Sequence, residues 1–143
     1  MKKKYEILVY IAGKLNAPNA CDYIKNVSAM LRIAEVVRRE GFSVYTPCND
    51  ILNGIVNGGL EYGDYATSNM EIAKRSDALF LVPGWRESPG TNNEITQTNT
   101  KGIPYFETIN TLNEWYDETH RRPKSPRQVA RMLCGYGPYF AES

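Results

Sequence analysis

Two short apolar runs constrain this chain more than any other feature: Ile7-Leu-Val-Tyr-Ile-Ala12, within residues 6–12, and Ala78-Leu-Phe-Leu-Val82. Each is rich in β-branched and aromatic residues and is closed by a breaker, Gly13 or Pro83. Continuous apolar runs of this length read as strands buried on both faces, the pattern of a parallel sheet. Between them, Ile24, Val27, Leu31, Ala34 and Val37 recur at spacings of three and four, which predicts an amphipathic helix over 22–40 that Gly41 ends. Further strands are expected at 42–46 and 103–106. Residues 48–65, rich in Gly and Asn, read as a long loop that orders around a ligand. Thr67 or Ser68 is placed to cap a short helix running to about Ser76, and Thr91 to start one ending near Gly102. Two more helical stretches follow, 109–119 and 126–134.

Alternating strands and helices predict a single α/β domain over 1–143, a flavodoxin-like (Rossmann-like) three-layer sandwich with a parallel sheet of four to five strands. Ligands of such sheets bind beyond the carboxyl ends of the strands, so the informative loops are 13–19 and 83–90.

Composition removes several classes of function. The 17 basic and 16 acidic residues leave a net charge of +1, which gives no footprint for a nucleic-acid polymer. A single phosphate is still accessible, because backbone amides alone can hold it. The 3 cysteines are too scattered for a disulfide framework or a metal site, and 1 histidine makes zinc improbable, so no metal and no cofactor are expected. The apolar run after Lys4 is too short for a signal peptide, and no stretch has the length of a membrane span. These features suit a reduced, cytoplasmic setting in a bacterium or a phage-infected host.

The segment that carries chemistry is Ser88-Pro-Gly-Thr-Asn-Asn-Glu94, directly after a buried strand. Thr91 and Glu94 have the form of a capping box, which is a structural role. A functional role is favoured by the position at the ligand edge and by Ser88 and Gly90, which let a phosphate approach exposed amides. On this reading Glu94 lies in the first helical turn, where the helix dipole keeps it ionised. An ionised, positioned carboxylate is what covalent glycosyl transfer requires.

Tyr10-Ile-Ala-Gly13, Ser76-Asp-Ala-Leu-Phe-Leu-Val-Pro-Gly-Trp85, Ser88 to Glu94 and Lys101-Gly-Ile-Pro104 together resemble the nucleoside 2-deoxyribosyltransferase superfamily, over about residues 5–107. The closest likeness is to its small phage- and bacterium-borne members. The resemblance implies that Glu94 is the nucleophile, that the Tyr10 hydroxyl positions it or the sugar, and that Gly13 approaches the ligand. It also places Ser88 where the nucleoside transferases usually carry an Asp for the 5′-hydroxyl and the nucleoside-monophosphate N-glycosidases a Ser for the 5′-phosphate. A hydroxyl can donate to a phosphate that a carboxylate would repel, so the departure favours a monophosphate substrate. Asn69 stands where the family commonly has an Asp that assists the base or delivers a proton. Asn cannot be a general acid, and Glu71 or Asp64 are the candidate substitutes. A looser likeness is to the cytokinin-activating phosphoribohydrolases, whose loop is here split by Trp85 to Pro89.

Trp85 and Arg86 have the chemistry to stack on a base and pair with a phosphate, or to pack on a surface loop. Asp77 reads as a structural turn residue and His120 as part of a solvated basic turn. Relatives that share sites between subunits imply a homodimer or larger; Tyr136 or Tyr139 would complete a neighbour's pocket or, equally, form an aromatic plug on the chain's own core. The expected activity is cleavage of a nucleoside 5′-monophosphate through a glycosyl-enzyme on Glu94. The alternatives are 2-deoxyribosyl transfer between bases and sequestration of a nucleotide-derived signal without catalysis.

Overall fold

The computed structural model describes residues 2–120. The expected helix at 126–134, Tyr136 and Tyr139 lie outside them.

The sheet has 4 strands in the order β2-β1-β3-β4: β1 Leu8–Ala12, β2 Ser43–Tyr45, β3 Ala78–Leu81 and β4 Tyr105–Phe106. Every pairing is parallel. Among the described residues five α-helices accompany it: α1 Ala20–Arg39, α2 Asp50–Asn57, α3 Tyr62–Ala73, α4 Pro89–Asn99 and α5 Ile109–Thr119.

The alternation of side chains along each strand makes the three layers. Val9 and Ile11 of β1, with Ala78 and Phe80 of β3, face one core cluster with Met30, Ala34 and Val37 of α1 and Leu112 of α5. Tyr10 and Ala12, with Leu79 and Leu81, face the other way into a cluster with Ala73 of α3 and Ile95 of α4. Both faces of the sheet are therefore covered, as the apolar runs required. A fully buried Ile or Leu contributes about 1.5–3 kcal/mol relative to exposure, and Ile7, Ile11, Leu79, Leu81 and Leu112 are all essentially inaccessible to solvent.

Local chemistry sets the boundaries. The Asn19 side chain accepts from the Asp22 amide and starts α1. Gly41 ends that helix with a φ of 104°, a conformation that favours glycine. Asp77 is the turn residue expected: its carboxylate accepts from the Leu8 amide at 2.8 Å, tying the start of β3 to β1.

Two expectations are corrected. Residues 48–65 are not one long loop, because α2 and the start of α3 occupy most of them. The pattern was hidden because α2 buries none of its residues: Leu52, Ile55 and Val56 face solvent. The helix over 62–73 does not start at Thr67 or Ser68. It starts after Glu61, whose amide donates to the Asp64 carboxylate at 2.9 Å. No helix among the described residues is long and apolar enough to cross a membrane.

Candidate active site

The carboxyl end of β1 opens onto a cavity of about 700 Å³. Small-molecule sites span about 300–1,000 Å³. Its walls come from the loop after β1, Tyr23 of α1, residues 50–55 of α2, one side of α3 and the start of α4.

The start of α4 differs from the sequence reading. Ser88, not Thr91, is the N-cap: its hydroxyl accepts from the Thr91 amide at 3.1 Å. Pro89 follows at the first helical position, where its fixed φ and missing N–H cost nothing. The Thr91–Glu94 capping box is therefore not formed, and Glu94 sits in the second turn rather than the first.

That displacement leaves Glu94 for other work. Its carboxylate accepts a hydrogen bond from the hydroxyl of Tyr10, which is fully buried in β1. The expectation that the helix dipole keeps Glu94 ionised is also corrected. Burial raises its pKa from 4.5 to about 7, while the Tyr10 bond lowers it and only partly offsets burial. The Tyr10 hydroxyl is in turn pushed well above its ordinary range, by burial first and by the neighbouring Glu94 charge second. At neutral pH Glu94 is thus poised between its two forms, where a group that must exchange protons or charge during a reaction is most useful.

Asn69 is almost fully buried and lines the same cavity. Its carbonyl oxygen accepts from the Tyr45 hydroxyl at 3.0 Å, and its amide nitrogen donates to the Asp50 carboxylate at 2.7 Å. Tyr45 stacks on Tyr10, ring centroids 5.7 Å apart. Glu94, Tyr10, Tyr45, Asn69 and Asp50 are thereby one connected constellation. The proposed substitutes for a carboxylate at Asn69 lie elsewhere: Glu71 pairs with Lys74 and Arg75 on an exposed face, and Asp64 caps α3.

Ser88, Gly90 and Thr91 line the cavity together with Gly13. Accepting from Thr91 leaves the Ser88 hydroxyl hydrogen available to donate. The Thr91 hydroxyl is buried and has no hydrogen-bond partner among the described residues, an arrangement that costs about 1–3 kcal/mol unless a ligand completes it. A Cβ at Gly13 would lie 2.7 Å from Cβ of Val82, so its close approach to the exit of β3 requires glycine there, and Gly13 lines the cavity as well.

Trp85 does not line the cavity. Its indole nitrogen donates to Glu107 at 2.8 Å, and the Arg86 guanidinium lies over its ring at 4.5 Å. This pair forms a surface cluster beside Tyr105 of β4, the surface-loop packing given above as the alternative to stacking on a base.

Asp50 and Lys14 are among the cavity residues that the sequence alone did not single out. Asp50 was hidden in the segment taken for a loop. Lys14 lay within the flagged loop 13–19 and lines the cavity while pairing with Glu87 at 3.2 Å. No group of His, Cys, Asp and Glu among the described residues could hold a metal ion.

The model of a family described as a domain of unknown function (DUF4406) matches residues 7–107. That span runs from the start of β1 through β4 and contains every cavity residue named above. Comparison with curated proteins and with solved structures gives no match.

Proposed function

This chain belongs to the DUF4406 family, and we propose that it cleaves the N-glycosidic bond of a nucleoside 5′-monophosphate. The observation that carries the reading is the Tyr10–Glu94 pair on the wall of a nucleotide-sized cavity whose far rim is the Ser88 cap. The finer kinship, to the nucleoside 2-deoxyribosyltransferase superfamily, is part of the same proposal and rests on the motifs that supply these residues.

In the proposed reaction the ionised Glu94 carboxylate attacks the anomeric carbon of the sugar. The carbon–nitrogen bond breaks, its electron pair goes to the base, and the base takes up a proton from solvent, matched by the proton that water releases in the next step. Water then hydrolyses the glycosyl ester, releasing the sugar phosphate and restoring Glu94. Tyr10 orients the carboxylate and tempers the burial that would otherwise neutralise it. Ser88 and the amide of Gly90 at the head of α4 bind the 5′-phosphate, helped by the helix dipole and by the unpartnered Thr91 hydroxyl. The phosphate anchors the sugar without entering the chemistry.

A second reading, sequestration without catalysis, is favoured by Asn69, which cannot donate a proton as an acid. The Asp50 carboxylate bonded to it keeps an acidic group in the constellation and supports the catalytic reading. Incubation with a panel of nucleoside monophosphates separates the possibilities. Release of free base supports hydrolysis. Exchange with an added second base supports deoxyribosyl transfer, and tight binding with intact recovery supports sequestration. The same proposal includes a cytoplasmic homodimer or larger assembly, for which light scattering is the test.

A further inference from the structure

We propose that Asp50 selects the base of the nucleotide and that it selects bases carrying an amino group. The inference rests on the nucleotide reading above and adds the class of base to it.

Asp50 is the first residue of α2 and lines the cavity near Tyr23, Tyr62 and Tyr65. The orientation of its carboxylate is set from behind. The Tyr45 hydroxyl holds the carbonyl oxygen of Asn69, and the Asn69 nitrogen holds Oδ2 of Asp50. Turning the Asn69 amide over would set its oxygen against the carboxylate, so the network has one stable arrangement. The other carboxylate oxygen, Oδ1, has no protein partner among the described residues and is left for a ligand.

A carboxylate oxygen accepts hydrogen bonds and donates none. An exocyclic amino group on a base satisfies it, whereas a carbonyl at the same place leaves two acceptors opposed in a tyrosine-lined, partly desolvated wall. Asn69 thus acts on the base through Asp50, as a positioning residue, and the Asn found in place of a family Asp acquires a role. Were residue 69 an Asp, two carboxylates would face each other here and one would have to hold a proton.

The network also dictates the outcome of Asp50→Asn. The Asn69 amino group keeps facing an acceptor, so the new side chain turns its oxygen to Asn69 and its amino group to the ligand. An acceptor becomes a donor at the same point. Titration calorimetry with cytidine and uridine 5′-monophosphates, and with adenosine and inosine 5′-monophosphates, reads this directly. Each pair exchanges an amino group for a carbonyl, and with it the adjacent ring nitrogen changes from acceptor to N–H donor; a Glu94→Gln background prevents turnover. The expected result is an amino preference of about tenfold or more with Asp50 present, the scale of one charge-assisted hydrogen bond, and its reversal in the Asp50→Asn variant. Binding of all four ligands without preference when Asp50 is present overturns this inference and leaves the nucleotide reading standing, and it needs no Asp50 variant. A preference that survives Asp50→Asn unchanged also overturns it. Binding of none overturns both.

Discussion

The hydroxyl of Tyr10, in the middle of β1, donates to the carboxylate of Glu94, in the second turn of α4, across 84 residues of chain. A buried tyrosine on a sheet and a partly buried glutamate on a helix are each costly alone. Together each satisfies the other's polar atom, and the helix start decides whether they meet. Had α4 begun at Thr91, Glu94 would have turned back to cap its own helix.

Tyr10→Phe removes the hydrogen bond that lowers the Glu94 pKa, so that pKa rises above about 7. The proposed cleavage requires ionised Glu94, so its rate should climb with pH through this pKa. The limb of the pH–rate profile should move to higher pH in Tyr10→Phe, with the loss of rate greatest on the acid side. A profile that merely falls by a constant factor at every pH would separate Tyr10 from the Glu94 ionisation.

Glu94 also makes stability depend on pH. Its pKa is 4.5 when solvated and about 7 when folded, so the folded state holds the proton more tightly. The resulting stabilisation is complete below pH 4.5, declines as pH rises through about 7, and is gone above it. The total is at most about 3 kcal/mol, and solvent reaching the carboxylate reduces it. Denaturant titrations of wild type against Glu94→Gln should show the variant gaining relative stability between pH 5 and 8. A constant difference across that window, which brackets about 7, contradicts the raised pKa.

Thr91→Val replaces a buried hydroxyl that lacks a partner by a methyl of the same shape. The ligand-free protein should gain about 1 kcal/mol in thermal or chemical unfolding. On the proposed function, in which this hydroxyl binds the 5′-phosphate, monophosphate binding should weaken. A variant that gains stability and binds equally well would make Thr91 a plain packing defect.

Ser88→Asp preserves the cap of α4, since Asp is as good an N-cap as Ser. Stability should therefore hold, while the new charge repels a 5′-phosphate. The preference should pass from monophosphate to nucleoside. Equal affinity of the wild type for both would remove the phosphate from Ser88.

The sheet was legible because β1 and β3 are buried on both faces and need apolar side chains at every position. The helix over 109–119 was legible at both ends. The start of α4 was misplaced because Ser88 and Thr91 are both good caps. The deciding cue was Pro89, whose ring is tolerated at the first position of a helix. α2 was lost because Gly54, Gly58 and Asn53 resemble loop chemistry and its apolar residues bury nothing. With it went Asp50, whose importance comes from a contact to Asn69, 19 residues away, that spacing along one helix cannot encode. Glu94 was legible from its place in the segment after β3, and Tyr10 through a resemblance; nothing in their separate neighbourhoods announces that they touch.

The most direct measurement is the release of free base from nucleoside 5′-monophosphates by wild type and by Glu94→Gln, followed by chromatography. Gln keeps the size of the side chain and an oxygen to accept from Tyr10, so the variant should fold and still bind nucleotide. An amide cannot form the glycosyl ester, and cleavage should fall by at least about a thousandfold, or about 4 kcal/mol of barrier. Cleavage by the folded variant at the wild-type rate, or no release of base by the wild type from any monophosphate tested, would contradict the assignment of Glu94 as nucleophile.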